Sequence, residues 1–192
     1  MKLIAEIIKI RNQSADKYQG YLQLFGSKEK EIFDPKFNKD WEVYIYNKVV
    51  NDLKIINDQI VALDNSQLTA ENQAKILGKI MGALDNFDKS YCDYNKLMDY
   101  HKYAFNETEL RAIAEERRTL YNYLKKNKNN IIINSQLVLS KFVNTVQNKP
   151  MVDPDVADMI ISKMEESFHL SAERELYIAE KVSHRKHSHK AL

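Results

Sequence analysis

Turn-forming residues are scarce in this chain: 192 positions hold four glycines and three prolines. A protein of many short strands needs a turn about every ten residues, so a few long helices are the expected architecture. Cysteine occurs once, at Cys92, which excludes an intramolecular disulfide and a cysteine-rich zinc site. The expected location is therefore the cytoplasm or another reducing compartment. No stretch approaches the roughly 18 consecutive apolar residues of a transmembrane helix, so no membrane span is expected. Glu6, Lys9 and Arg11 interrupt the apolar N-terminus before a signal-peptide core can form. Glycine-rich phosphate loops, the G-x-S-x-G elbow and H-E-x-x-H are all missing, which disfavours nucleotide-driven and common hydrolase chemistry. Net charge is also small, at +2, and gives no global attraction to nucleic acid or an anionic membrane.

What is present is helical periodicity. Leu77, Ile80, Leu84, Phe87, Tyr91, Tyr94, Met98, His101 and Phe105 follow one another at alternating intervals of three and four, on one stripe of a helix. They predict a long central helix over 70–105, about 50 Å in length. Thr69, with Glu71 and Gln73 nearby, stands where an N-cap hydroxyl would satisfy a first-turn amide. Tyr46, Val49, Leu53, Ile56, Ile60 and Leu63 form a second seam and predict a helix over 39–64. Ile4, Ile8, Ala15, Tyr18, Leu22 and Phe25 predict a first helix over 2–25, capped near Gly26.

Leu110, Ile113, Leu120 and Leu124 predict a helix over 107–125. The polar run from Lys125 to Asn130 then reads as a linker that would subdivide the domain. A further helix carries Leu139, Phe142, Val143 and Val146; Asp153-Pro154 signals the start of another, with Val156, Ile160, Met164 and Phe168 on its face. A last helix would hold Leu176, Ile178 and Val182. The expected fold is all-α: an antiparallel bundle of about six helices with a smaller C-terminal helical group. Residues 1–183 would form one helical domain and 184–192 a flexible, basic, histidine-rich tail.

His101 is the one titratable ring on the central seam, and is the candidate general base or ligand. Tyr91 and Tyr94 read as core packing, whereas Tyr100 and Tyr103 lie off the seam and are candidate partner contacts. Asp85, Asp88 and Asp93 have the look of carboxylates spaced to present oxygens to magnesium, but the second acidic cluster needed on a facing helix is matched only loosely, by Glu115 and Glu116 or by Glu165 and Glu166, and a solvated face is expected. Cys92 reads as a buried or boundary thiol without an activating cation. The single Glu166-x-x-His169 falls short of a carboxylate di-metal bundle, which needs two such pairs. In the tail, Glu180, His184 and His187 would share a helical face and are the candidate metal ligands. Lys125, Lys126 and Lys128, with Arg185 and Lys186, are the candidate anion-binding residues.

No cofactor is expected. The favoured reading is a non-enzymatic interaction module, such as an adaptor, regulator or bacterial effector-like protein, that binds a protein partner through a helical face. Homo-oligomerisation through a 3.5-residue seam is a related outcome. The alternative is a small helical-bundle enzyme or ligand-binding protein that uses His101 with acidic residues from neighbouring helices. Nucleic-acid binding through the basic run and the tail ranks last, because net charge is near neutral.

Overall fold

A computed structural model describes residues 2–16, 35–104 and 111–168; the side chains of 35–43, 100–104, 111–117 and 120 lie outside that description. Its helices are α1 (Lys2–Gln13), α2 (Pro35–Asn65), α3 (Ala70–Ala104), α4 (Arg111–Gln147) and α5 (Pro154–Ser167). The all-α expectation holds, with five helices and no strand among the described residues.

The central helix forms for the reason its sequence suggests. Leu77, Ile80, Leu84, Phe87, Tyr91 and Tyr94 are all buried, and burial of each large side chain contributes about 1.5–3 kcal/mol. Thr69 Oγ1 accepts from the Asn72 amide at 3.1 Å, as an N-cap should. Gln73 serves a different contact. Its Nε2 donates to the Met151 carbonyl at 2.9 Å instead, tying the start of α3 to the turn before α5. Asp153 caps α5 by accepting from the Asp155 and Val156 amides, with Pro154 at the first helical position.

α3 packs against each of the other four helices. It runs opposite to α2, to which the short segment 66–69 joins it, and Asp52 of α2 meets Ser90 of α3. It also runs opposite to α4: the Tyr94 hydroxyl donates to the Leu124 carbonyl near one end, and Gln73 reaches Met151 beyond the other. The remaining two helices advance in the same direction as α3. Ile10 faces Gly78 and Ser14 faces Gly82, while Lys163 of α5 reaches Asp88 twelve or so residues along from the Gln73–Met151 contact. The arrangement therefore departs from an all-antiparallel bundle at α1 and α5.

Three sequence expectations need correction. Helix one ends at Gln13 rather than continuing to 25; residues 17–34 lie outside the description. The second helix starts four residues early, at Pro35, whose fixed φ and missing N–H suit a first helical position. The expected linker from Lys125 to Asn130 is helical, inside an unbroken α4. Lysine is a good helix former and asparagine a tolerable one. Leu124, Ile131 and Val138 sit seven apart and are buried, so α4 keeps a continuous inward stripe while the polar run covers its outer face.

The close approach of α1 to α3 uses two of the four glycines. A Cβ on Gly78 would lie 2.7 Å from Ile10 Cβ and 2.9 Å from the Ile7 carbonyl oxygen; one on Gly82 would lie 2.6 Å from Ser14 Cβ. Gly78→Ala should therefore destabilise the protein by about 1–3 kcal/mol through overpacking, although alanine gains about 1 kcal/mol in helix propensity. Denaturant melts check this, and a stabilised variant would show that α1 does not rest on α3 at this point.

Candidate functional site

The richest polar constellation of the described residues lies where α1 ends against the middle of α3. Its helical bonding tightens there: the Ser14 amide is shared between the Ile10 and Arg11 carbonyls at 2.9 and 3.2 Å, and Ala15 bonds to Asn12 at 3.3 Å. The chain leaves the helix where a side chain can take over its freed groups. Asn86 of α3 does this, accepting from the Asp16 amide at 2.8 Å and donating to the Ser14 carbonyl at 3.1 Å.

On one side of this clamp the Arg11 guanidinium forks onto Asp85, with Nε to Oδ2 at 2.6 Å and Nη2 to Oδ1 at 2.8 Å. Lys163 of α5 approaches the same carboxylate at 3.7 Å and Asp88 at 2.6 Å. The hydrogen bond to Asp85 raises the pKa of Arg11. On the other side Lys48 of α2 bridges Asp16 and Asp52, at 2.6 Å to each. Asp52 is 1% exposed, and its second oxygen accepts from the Ser90 hydroxyl at 2.9 Å. Burial raises the Asp52 pKa, against the downward pull of its Lys48 and Ser90 hydrogen bonds and of the Lys48 charge. Burial lowers that of Lys48, but hydrogen bonds and charge from Asp16 and Asp52 outweigh it and leave Lys48 raised.

Chemically this constellation is a clamp. Both Asp52 oxygens are engaged by protein groups, and Lys48, Asp52 and Ser90 line neither of the two main grooves. One groove, of about 730 Å³, lies between α1 and the start of α3 and is lined by Leu3, Ile10, Ala70 and Ala74 with Lys2 and Glu71 at its edge. The second, of about 780 Å³, lies between α2 and α4, with Val50, Leu53, Leu137 and Val138 as apolar walls and Lys141 donating to Asn57 at 3.0 Å.

Few of the sequence candidates come together. Asp85 and Asp88 meet cations rather than bulk water, and Asp93 is buried at 5% exposure, so the expectation of a solvated acidic face is corrected. The inward stripe of α3 is wide enough to take Asp93 in with Tyr94 and Leu97. Cys92 is exposed, not buried, being off that stripe. Lys125 and Lys126 are exposed on α4 and Lys128 is partly covered. Tyr100, His101 and Tyr103 lie on α3, but their side chains are outside the described residues, as are Glu180, His184, Arg185, Lys186 and His187 entirely. Among the described residues no group of three or more His, Cys, Asp or Glu side chains could hold a metal ion.

Arg11, Lys48, Asn86, Ser90 and Lys163 were not anticipated from sequence. One signal was available: Asp52 follows Val49 by three and precedes Ile56 by four, so an acid interrupts the α2 seam. Comparison with known protein families, curated proteins and solved structures gives no match.

Asp52 supplies a pH test. Its folded pKa lies above the ordinary carboxylate value, so on raising pH the unfolded chain releases this proton first and the native state loses stability relative to it. The wild-type stability minus that of Asp52→Asn should therefore fall as pH rises upward from about 4. Paired denaturant melts between pH 3 and 8 measure the difference, and a difference that rose with pH would show Asp52 to be held ionised by Lys48.

Proposed function

We propose that the protein is a non-enzymatic helical interaction module that binds a protein partner through the outer face of α4. The observation that carries this reading is the pair Ile133 and Leu137, one turn apart on α4 and 54% and 62% exposed. Isolated exposed apolar residues are ordinary, but a pair at i and i+4 makes a stripe. Leu137 also walls the α2–α4 groove, so the stripe continues into a concave apolar surface with Val50, Leu53 and Val138. A partner helix laid there would bury the stripe and gain Asn134, Asn144 and Lys141 as polar neighbours. The polar clamp at the end of α1 supports the non-enzymatic side of the reading, since its carboxylates and cations are occupied by one another.

A photoreactive residue at position 140, beside the groove, tests the proposal in the source cells. It should yield a discrete crosslinked protein, or a crosslinked homodimer, that disappears in Ile133→Asp/Leu137→Asp. Because both side chains are more than half exposed, the double variant should melt within about 0.5 kcal/mol of wild type for each substitution. Crosslinks unchanged by the substitutions, or none at all with monomeric sedimentation at every concentration, would sink the reading.

A further inference from the structure

We infer that the channel between α1 and α5 is a docking site for a cationic amphipathic helix of another protein. This extends the interaction-module reading to a different face of the molecule. α1 and α5 both lie along α3 in its own direction, but neither packs substantially on the other. Arg11, near the end of α1, and Lys163 of α5 converge on Asp85 of α3. That shared carboxylate fixes which sides of the two helices face each other.

On α1, Ile4, Ile8 and Arg11 occur at i, i+4 and i+7, so the isoleucines lie on the stripe that ends in the ion pair. They are 49% and 48% exposed, although Ile7 beside them is buried against α3. On α5, Met159 stands four residues before Lys163 and is 42% exposed. Ile8 precedes Arg11 by one turn and Met159 precedes Lys163 by one turn. Both helices advance with α3, so each side chain lies one turn before a cation that approaches Asp85. The α1 bank offers two isoleucines, and the α5 bank one methionine flanked by acids.

Charge identifies the occupant. Helix α5 carries Asp155, Asp158, Glu165 and Glu166 against the single base Lys163, which Asp88 and Asp85 already engage. Asp155 and Glu166 lie at i−4 and i+7 from Met159, on its own stripe, and are exposed. An apolar cleft with one acidic bank suits a helix whose apolar stripe enters the channel and whose lysines or arginines lie over α5. The same acidic bank repels an anionic lipid surface, so a protein helix is the favoured occupant. Methionine suits the role, because its flexible thioether adapts to different apolar contacts.

The test uses the full chain and two labelled 16-residue helices with leucine at i, i+3, i+4 and i+7, one with lysine elsewhere and one with glutamate. Fluorescence anisotropy should show saturable binding of the lysine helix, at least tenfold tighter than the glutamate helix and weakening as salt rises. Ile4→Ser/Ile8→Ser should weaken it tenfold or more with an unchanged thermal melt. Asp155→Lys/Glu166→Lys should reverse the preference between the two helices, and Ile133→Asp/Leu137→Asp should leave it intact. Equal binding of both helices, binding insensitive to the α1 substitutions, or loss only with the α4 substitutions would overturn the assignment. If neither helix binds while the position-140 crosslink persists, the channel is not a docking site and the α4 reading stands alone.

Discussion

Helix α3 touches all four of the others, α1, α2, α4 and α5, and keeps only a narrow exposed strip that includes Lys89, Cys92 and Lys96. Polar groups on its covered sides are cut off from water, and an unsatisfied buried polar group costs about 1–3 kcal/mol. That constraint explains residues that look unrelated in sequence. Where α3 is apolar it supplies the core through Leu77, Ile80, Leu84, Phe87, Tyr91 and Tyr94. Where α1 must come close it carries Gly78 and Gly82. Where it is polar, at Asp85, Asn86, Asp88 and Ser90, the groups find Arg11, the Ser14 and Asp16 backbone, Lys163 and Asp52. The aromatic ladder follows the same logic. Phe87 meets Phe168 edge-on at 5.2 Å and Tyr91 nearly face-on at 5.1 Å, and the Tyr94 hydroxyl donates a hydrogen bond to the Leu124 carbonyl of α4.

The apolar half of this arrangement was legible in the sequence and the polar half was not. Periodicity reports which positions turn inward, so the α2 and α3 seams, the α5 face and the Asp153 cap could all be read before any coordinates. It cannot report partners. Asp85 and Asp88 are indistinguishable from a solvated flank until Arg11 and Lys163, 74 and 75 residues away in sequence, are folded against them. The run at 125–130 misled for the opposite reason. A polar sequence of good helix formers is what the outer face of a long helix requires, and only the buried Leu124 and Ile131 on either side show that the stripe continues. Helix α1 ended early because its terminus is set by Asn86, a residue of another helix.

The same contrast separates the interior chemistry from the exterior. The charges at the helix contacts are paired: Lys48 with Asp16 and Asp52, Arg11 with Asp85, Lys163 with Asp88. Of these groups Asp52 is the fully buried one, so removing Lys48 would strand a poorly solvated carboxylate, which is costly even where the pair's net contribution to stability is small. Apolar side chains also remain uncovered on the exterior, among them Ile133 and Leu137 on α4, Ile4 and Ile8 on α1 and Met159 on α5.

The ion pairs at Asp85 link α1 and α5 indirectly. The position of each helix follows from what it rests on, α1 on α3 and α5 on α3 and α4, and Arg11 and Lys163 then approach one carboxylate from the two sides. Partly exposed pairs of this kind are individually worth about 1 kcal/mol or less, too little to hold a helix in place. The hold on α1 comes from Ile7 and the glycine contacts beneath it. The apolar contacts therefore place the helices, and the pairs neutralise the charges that this placement brings together.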